Sequence, residues 1–164
     1  MDEFMWSDGL LELARQTRDE VADALSALGV HGELGVTGGA SVPGALTKGD
    51  IDLHLRVAPD AFRDVVARLR GAYPVASPLS WAATLAVFDL PGHRPTGLAV
   101  TPVDSEHDRR FGLAWRLLRD DPQALAQYNS LKSGTPGAGD YERRKSAFFS
   151  ALASEPPESP DSAE

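Results

Sequence analysis

The eight residues from Asp50 to Val57 alternate strictly between polar and apolar side chains. The apolar positions are Ile51, Leu53, Leu55 and Val57, and the polar positions are Asp50, Asp52, His54 and Arg56. Because successive side chains of a β-strand point to opposite faces, this pattern predicts a strand with one buried face and one polar face. Such a strand needs a sheet to pair with and helices to cover its apolar side, so the pattern favours a fold that mixes both.

The composition is typical of one soluble domain. The chain has 164 residues, of which 42% are hydrophobic and 24% are charged. No apolar stretch reaches the roughly 18 residues of a membrane-spanning helix, and the acidic start at Met1-Asp2-Glu3 lacks the basic region of a signal peptide. We therefore expect a cytoplasmic protein that does not enter a membrane.

The charge balance and the absence of cysteine limit the chemistry. Without cysteine the chain has no disulfide, thiolate zinc site or cysteine nucleophile, so oxygen or imidazole ligands would hold any metal ion. The 24 acidic and 16 basic residues give a net charge of −8, which opposes general binding to nucleic acid. Nucleic acid is therefore not expected as a partner.

The remaining periodicities predict the rest of the domain. We expect helices over residues 7–28, 59–71, 104–119, 123–132 and 140–152, and further strands over 33–37, 81–90 and 97–103, with the last two strands in a hairpin. Asp60 is expected to cap the second helix and Gly71 to end it, and Asp104 or Ser105 to cap the third. Residues 1–152 would then form one α+β domain, and residues 153–164 a disordered acidic, proline-rich tail.

Asp50 and Asp52 are the first candidates for chemistry. At positions i and i+2 of a strand they share one face, with Cα atoms about 6.5 Å apart, and their repulsion is about 2 to 3 kcal/mol at an effective dielectric near 20. A divalent cation between them would offset this repulsion, and aspartate oxygens favour Mg²⁺ or Mn²⁺. An isolated Asp-x-Asp pair is usually only a solvated strand edge.

A glycine pair precedes these aspartates. Gly38 and Gly39 allow the backbone to approach a ligand closely, and N–H groups there could hold phosphate oxygens. Ser41 adds a hydroxyl and Lys48 a positive charge. A Gly-Gly pair alone is most often a turn, but Gly-Gly followed after ten residues by Asp-Ile-Asp-Leu is a much more specific pattern.

The order of these motifs resembles the signature of the nucleotidyltransferase (polymerase beta-like) superfamily. Within it, Ser41-Val-Pro-Gly44, Lys48 and Ile51-Asp52 are similar to a motif of the GrpB (UPF0157) family. Tyr128-Asn-Ser-Leu-Lys132 resembles that family's Tyr-x-x-Leu-Lys, and residues 141–148 resemble its Tyr-x-x-x-Lys-x-x-Phe. The resemblance covers roughly residues 8–152 and implies a nucleotidyltransferase-like fold, with a small mixed sheet flanked by helices and a C-terminal helical portion over the cleft.

Some positions depart from the GrpB pattern. Gly39 replaces a usual serine, Val36 replaces a histidine, and 97–100 reads Gly-Leu-Ala-Val where the family has a His-h-His-h strand, h being a hydrophobic residue. Conversely, Asp50 supplies the first carboxylate of the superfamily pair, where GrpB proteins often have an apolar residue. By this comparison the chain looks more like an active nucleotidyltransferase than its nearer relatives do.

The superfamily resemblance also implies a third carboxylate on a neighbouring strand. Asp89 fits this role, although it could equally be a turn residue before Pro91, and Asp104 and Glu33 are substitutes. His54 shares the strand face of the aspartates and could touch metal, phosphate or acceptor, or be simply solvated. Lys132 and Lys145 match motif positions and could contact a triphosphate, although lysines on helices are more often solvated.

Together these features predict Mg²⁺-dependent (or Mn²⁺-dependent) transfer of a nucleotidyl group from an NTP to a small-molecule or protein acceptor. Asp50, Asp52 and Asp89 would hold the metal. Gly38, Gly39, Ser41, Lys48, Lys132 and Lys145 would hold the phosphates. The alternatives are a non-catalytic module that binds a nucleotide or a protein, and a metal-dependent phosphohydrolase or ligase.

Overall fold

A four-stranded mixed sheet contains the alternating strand predicted from the sequence. The computed structural model describes residues 4–78, 81–92, 94–132 and 138–154. Its strands are β1 (Met5–Trp6), β2 (Glu33–Thr37), β3 (Leu46–Thr47), β4 (Ile51–Val57), β5 (Ala86–Leu90) and β6 (Thr96–Pro102). The main sheet has the order β2-β4-β6-β5, in which β4 and β6 are parallel and the outer pairs are antiparallel. Strands β1 and β3 form a separate antiparallel pair.

The helices are α1 (Leu11–Ala27), α2 (Phe62–Ala72), α3 (Glu106–Asp120), α4 (Pro122–Lys132) and α5 (Ala138–Ser154). Short 3-10 turns at Ser7–Gly9 and Gly39–Ser41 precede α1 and follow β2. The α+β class is therefore confirmed, as is the hairpin of β5 and β6. None of the described helices is long and apolar enough to cross a membrane.

The apolar face of the sheet forms the main core. The four apolar side chains of β4 are at most 1% exposed, and they pack in one cluster with residues of α1, α2, β5 and β6. Full burial of each such aliphatic side chain contributes about 1.5 to 3 kcal/mol to folding. This packing fixes which face of β4 is buried, so Asp52, His54 and Arg56 must lie on the opposite face.

A second core joins the C-terminal helices to the loop after β2. Tyr128 and Leu118 are buried against Val42 and Ala45, and Phe148 and Phe149 pack at its edge. The rings of Tyr128 and Phe149 are 6.0 Å apart. This cluster holds α3, α4 and α5 over the polar face of the sheet.

Several boundaries differ from the sequence predictions. Asp60 does not cap α2, whose N-cap is Ala61 without a side-chain hydrogen bond, and Gly71 lies inside that helix. Ser105 rather than Asp104 caps α3, because its Oγ accepts a hydrogen bond from the Asp108 amide at 3.3 Å. The end of the tail, 155–164, lies outside the described residues.

The strand predicted over 81–90 is shortened to β5. Residues 82–85 form a tight turn closed by hydrogen bonds between Ala82 and Leu85. The free edge of β5 is paired with residues 74–76, because the Ala76 amide donates to the Val87 carbonyl at 2.9 Å. The Trp81 indole donates to the same carbonyl, so this aromatic residue covers the edge and does not extend the strand.

Candidate functional site

One row of residues crosses the polar face of the sheet. Thr37 of β2 is opposite Asp52 of β4, Asp52 is opposite Gly97 of β6, and Gly97 is opposite Asp89 of β5. Asp52 and Asp89 are thus separated by two strand spacings, about 10 Å, and the residue between them has no side chain. The sheet register places both predicted carboxylates in one row with an open gap between them.

Two glycines surround the carboxylate of Asp52. A Cβ on Gly97 would lie 3.3 Å from Asp52 Oδ1, and a Cβ on Gly38 would collide with Oδ2. Gly38 also has a φ of 68°, a conformation that side chains rarely adopt. The glycine that the sequence pattern assigned to phosphate binding therefore also leaves space beside the predicted metal ligand.

Asp52 has a perturbed carboxyl group. Although it keeps accessible surface toward a cavity, withdrawal from bulk water raises its pKa above the ordinary value. The positive charge of Lys145 opposes this shift, the negative charge of Asp50 adds to it, and Lys132 opposes it more weakly. A carboxylate in this setting is stabilised by any further cation that comes close to it.

The three lysines of the chain contribute positive charge around Asp52 and Lys132. Lys132 and Lys145 interact electrostatically with Asp52, and Lys48 and Lys145 interact with Lys132. The three ammonium groups, two of which act on the Asp52 carboxylate, form a positive centre in a protein whose net charge is −8. Phosphate oxygens are the natural counter-ions for such a cluster.

Lys132 is the most buried of the three, with 6% of its surface exposed. Its ammonium donates to the Leu46 carbonyl and to the Tyr128 hydroxyl, and it lies 4.0 Å from the centre of the Tyr128 ring. Burial and the charges of Lys145 and Lys48 lower its pKa to about 7, although Asp52 opposes the shift. The spacing of Tyr128 and Lys132 therefore places an i, i+4 pair against the backbone at Leu46.

Hydrogen bonds hold the loop before β3 from two sides. The Asn129 side chain accepts from the Leu46 amide at 2.8 Å and donates to the Gly44 carbonyl at 2.9 Å. From the other side, the Ser7 amide donates to the Ala45 carbonyl at 2.8 Å. This loop leads to Lys48 and Asp50, so α4 and the N-terminal turn together set the position of both residues.

Gly39 and Ser41 shape the turn that follows β2. Gly39 is buried, and a Cβ there would lie 3.4 Å from both the Thr47 side chain and the Tyr128 hydroxyl. The Ser41 hydroxyl donates to the Gly38 carbonyl at 2.7 Å. In this structure the hydroxyl closes the turn, and its predicted contact with phosphate stays a prediction.

The positions of the acidic residues show how well they fit the expected divalent cation. Asp50 is exposed directly before β4, and its charge acts on Asp52. Among the described residues, no group of three His, Asp or Glu side chains is arranged to hold a metal ion, so Asp89 is not gathered with the other two. Two carboxylates and the space kept free by Gly38 still fit Mg²⁺, which usually takes one or two carboxylates together with phosphate and water.

His54 belongs to a polar network further along the same strand face. Its Nε2 pairs with the Thr101 hydroxyl at 2.7 Å and lies 3.8 Å from Asp108. Arg56 donates to both carboxylate oxygens of Asp108, at 2.6 and 2.9 Å. Burial lowers the pKa of His54, while the nearby Asp108 opposes that shift. The predicted contact of His54 with metal, phosphate or acceptor remains a prediction.

A cavity of about 590 Å³ opens on this face between the sheet and helices α3 and α5. Of the site residues predicted from the sequence, Gly38, Asp52 and Lys145 line it. The sequence reasoning missed its apolar wall, which includes Phe111, Trp115 and Phe149. The spacing of Phe111 and Trp115 along α3 was the available signal, but the same spacing is typical of ordinary core residues.

Comparisons with known proteins agree with this geometry. The model of the GrpB protein family matches residues 7–155. The fold is similar to a crystal structure of the conserved protein GrpB from Enterococcus faecalis, with a TM-score of 0.64, 17% identity, and coverage of 85% of this chain and 89% of that one. No curated protein matches the sequence.

Two larger proteins of nucleotidyltransferase fold are also similar. The Cid1 poly(U) polymerase in its MgGTP-bound crystal structure has a TM-score of 0.54 and 15% identity, over 78% of this chain and 42% of the polymerase chain. A chain of the GLD-2/RNP-8 complex has a TM-score of 0.53 and 18% identity, over 88% of this chain and 57% of that one. At these identities the likeness establishes the nucleotidyltransferase fold, and this chain spans about half the length of the two proteins.

Proposed function

Because the chain belongs to the GrpB family and has a nucleotidyltransferase fold, we propose that it binds an NTP and transfers its nucleotidyl group to an acceptor. The observation that carries the proposal is the position of Asp52 beside the Gly38 turn, where the charges of Lys145 and Lys132 act on it and Lys48 acts in turn on Lys132. A desolvated carboxylate with ammonium groups around it suits a ligand that brings both a divalent cation and phosphates. MgGTP in the similar Cid1 structure is a ligand of this kind.

In this proposal Asp50 and Asp52 hold Mg²⁺ or Mn²⁺, and Asp89, two strands away on β5, is the third carboxylate. The bound cation would neutralise charge on the phosphate oxygens. The gap at Gly97 gives the reacting phosphate room between Asp52 and Asp89. The carboxylates supply the oxygen ligands, and the sheet register keeps Asp52 and Asp89 in one row, with Asp50 directly before β4.

The lysines and the glycine turn bind the phosphates. Lys145 lies at the cavity wall and Lys132 beneath the loop, so together with Lys48 they balance the charge of the triphosphate. Gly38 and Gly39 allow the backbone close to the phosphate oxygens, and Ser41 keeps the turn closed. These contacts account for binding whether or not chemistry follows.

Transfer would form a bond between an acceptor oxygen and the α-phosphorus. The bond from that phosphorus to the bridging oxygen breaks, and pyrophosphate leaves. If the acceptor oxygen is a hydroxyl, its proton passes to Asp89, which is exposed at the edge of the row. The residues of this chain position the reactants and stabilise charge, which are the main sources of rate in phosphoryl transfer.

Nucleotide binding is tested with a Lys145→Gln variant and a matched Arg143→Gln control. Both positions lie in α5, but Lys145 lines the cavity and Arg143 does not. Titration calorimetry with ATP, GTP, CTP and UTP in Mg²⁺ should show at least about a tenfold loss of affinity in Lys145→Gln. Equal affinity in the two variants would contradict the proposal.

A non-catalytic nucleotide-binding module is the second candidate. It is favoured by the absence, among described residues, of three acidic or histidine side chains arranged around one metal position. Metal-dependent pyrophosphate release from a bound NTP in the presence of a metabolite extract would support transfer. Binding without release would support the module, and free nucleoside monophosphate as the only product would indicate a phosphohydrolase.

A further inference from the structure

The cavity has two chemically different ends. Gly38, Asp52 and Lys145 mark the end proposed to hold the phosphates. At the other end lie Leu85 and His107. Leu85 precedes Asp89 by four residues, which is about 13 Å of extended chain, so the second end is well removed from the row that crosses the sheet.

Apolar side chains line the space between the two ends. Val87 and Ala99 come from the sheet, Phe111 and Trp115 from α3, and Phe149 from α5. Phe149 and Trp115 are packed on each other, with ring centres 5.2 Å apart. A wall of this kind suits an apolar or aromatic body, and it offers little to a second polar phosphate chain.

The far end has basic side chains. Arg110 lines the cavity, and its nearest acidic partner, Glu106, is 3.9 Å away, with more than half of each side chain exposed. Such an exposed pair is weak, so the guanidinium can engage another anion. His107 lies one turn earlier on the same helix face, and the Thr84 hydroxyl contacts its Nδ1 at 2.6 Å, which fixes the ring.

We propose that this part of the cavity binds the acceptor, and that the acceptor is a small organic acid with an apolar or aromatic body. Its carboxylate pairs with Arg110 and His107, its body lies against Phe111 and Trp115, and its reactive oxygen reaches toward the row of Asp52, Gly97 and Asp89. The role of this organic acid as the acceptor rests on the proposed nucleotidyl transfer. The binding of an organic acid is independent of that function and can be tested alone.

The experiment uses phenylbutyrate and its neutral amide as probes with the full-length chain. Titration calorimetry should show that the wild type binds the acid more tightly than the amide. Arg110→Gln should lower the affinity for the acid about fivefold and leave the affinity for the amide unchanged. Arg116→Gln, on the same helix but away from the cavity, is the control and should bind both probes as the wild type does. Ala114→Trp should block both probes by filling the cavity.

Three results would overturn the inference. They are equal affinity for acid and amide, an equal loss in Arg110→Gln and Arg116→Gln, and displacement of phenylbutyrate by adenosine, which would assign the apolar wall to a nucleobase. Failure of the nucleotidyltransferase proposal gives a different result. In that case Lys145→Gln would not alter NTP affinity, while the discrimination between acid and amide would persist.

Discussion

Asp52 and Gly97 are directly opposite each other in the parallel pairing of β4 and β6, and a Cβ on Gly97 would lie 3.3 Å from the Asp52 carboxylate. This is closer than ordinary van der Waals contact, so a side chain at this position requires the carboxylate to shift by a few tenths of an ångström. The relationship links a glycine on β6 to the carboxylate on β4 that we propose as a metal ligand.

Gly97→Ala should therefore impair the site more than the fold. Alanine is preferred over glycine in a strand, so we expect the melting temperature to change by no more than a few degrees. The affinity for Mn²⁺ with an NTP should fall at least about fivefold, measured by calorimetry. Gly35→Ala is the control, because a Cβ there meets no atom within 4 Å. Equal effects of the two substitutions would refute the role of Gly97.

Nucleotide binding should take up a proton at Lys132. Its pKa of about 7 leaves the amine mostly neutral at pH 8, and phosphates nearby will favour the charged form. Calorimetry at pH 8 in buffers of different ionisation enthalpy should reveal uptake approaching one proton per NTP. Lys132→Met should remove it. An identical proton uptake in the variant would show that another group is responsible.

The same lysine predicts a pH dependence of stability. Between pH 7 and about 10 the unfolded chain binds a proton at Lys132 that the folded chain has lost. The free energy of unfolding should therefore rise with pH across this window, relative to Lys132→Met. Urea denaturation of both proteins at several pH values measures the difference. A constant difference would contradict the lowered pKa.

His54 predicts a loss of stability on the acid side. Burial lowers its folded pKa, so below about pH 6.5 the unfolded chain binds the proton more readily. The pKa of Asp108 is also lowered, first of all by its hydrogen bond with Arg56, but that contribution is lost only in the more acidic range where carboxylates titrate. Denaturation at pH 5 to 7 should show a steeper decline in the wild type than in His54→Gln. Parallel curves would exclude His54 as the cause.

Asp89 lies inside β5 and not in a turn, so Asp89→Asn separates a third metal ligand from an ordinary exposed strand residue. The side chain is exposed, so we expect the substitution to leave the fold intact. If Asp89 joins Asp50 and Asp52 when the NTP binds, Mn²⁺ affinity in the presence of NTP should fall at least about tenfold. Unchanged affinity would remove Asp89 from the site and leave the two-carboxylate arrangement.

Local patterns were sufficient to predict most elements of the fold. The alternation at 50–57 identified β4 and its polar face. The family motif contained both Tyr128 and Lys132, and the contact between them came only from the structure. The strand predicted from Trp81 onward was too long, because nothing in the local sequence indicates that residues 74–76 pair with the edge of β5.

The arrangement of the site depends on contacts that a single sequence does not reveal. That Gly97 faces Asp52 is a matter of strand register, and that the charge of Lys145 acts on the same carboxylate depends on how α5 packs against α3 and α4. The wall of Phe111 and Trp115 was indistinguishable from core until the cavity was known. The roles assigned to the individual site residues stay predictions.

The central claim is that Asp50 and Asp52 bind a divalent cation together with an NTP. Because burial and the neighbouring Asp50 raise the pKa of Asp52, Asp52→Asn should slightly stabilise the protein without ligand. Asp50→Asn should do the same by removing one charge of the pair.

The most direct measurement is the thermal shift produced by Mg²⁺ and NTP in the wild type and in both variants. Ligand at a concentration of one hundred times its Kd stabilises the wild type by about 2.7 kcal/mol. For a domain of this size, this raises the melting temperature by about 5 to 10 °C. Both variants should lose this shift while melting no lower than the wild type without ligand. Equal shifts in all three proteins would contradict the metal site and the nucleotidyltransferase proposal that depends on it.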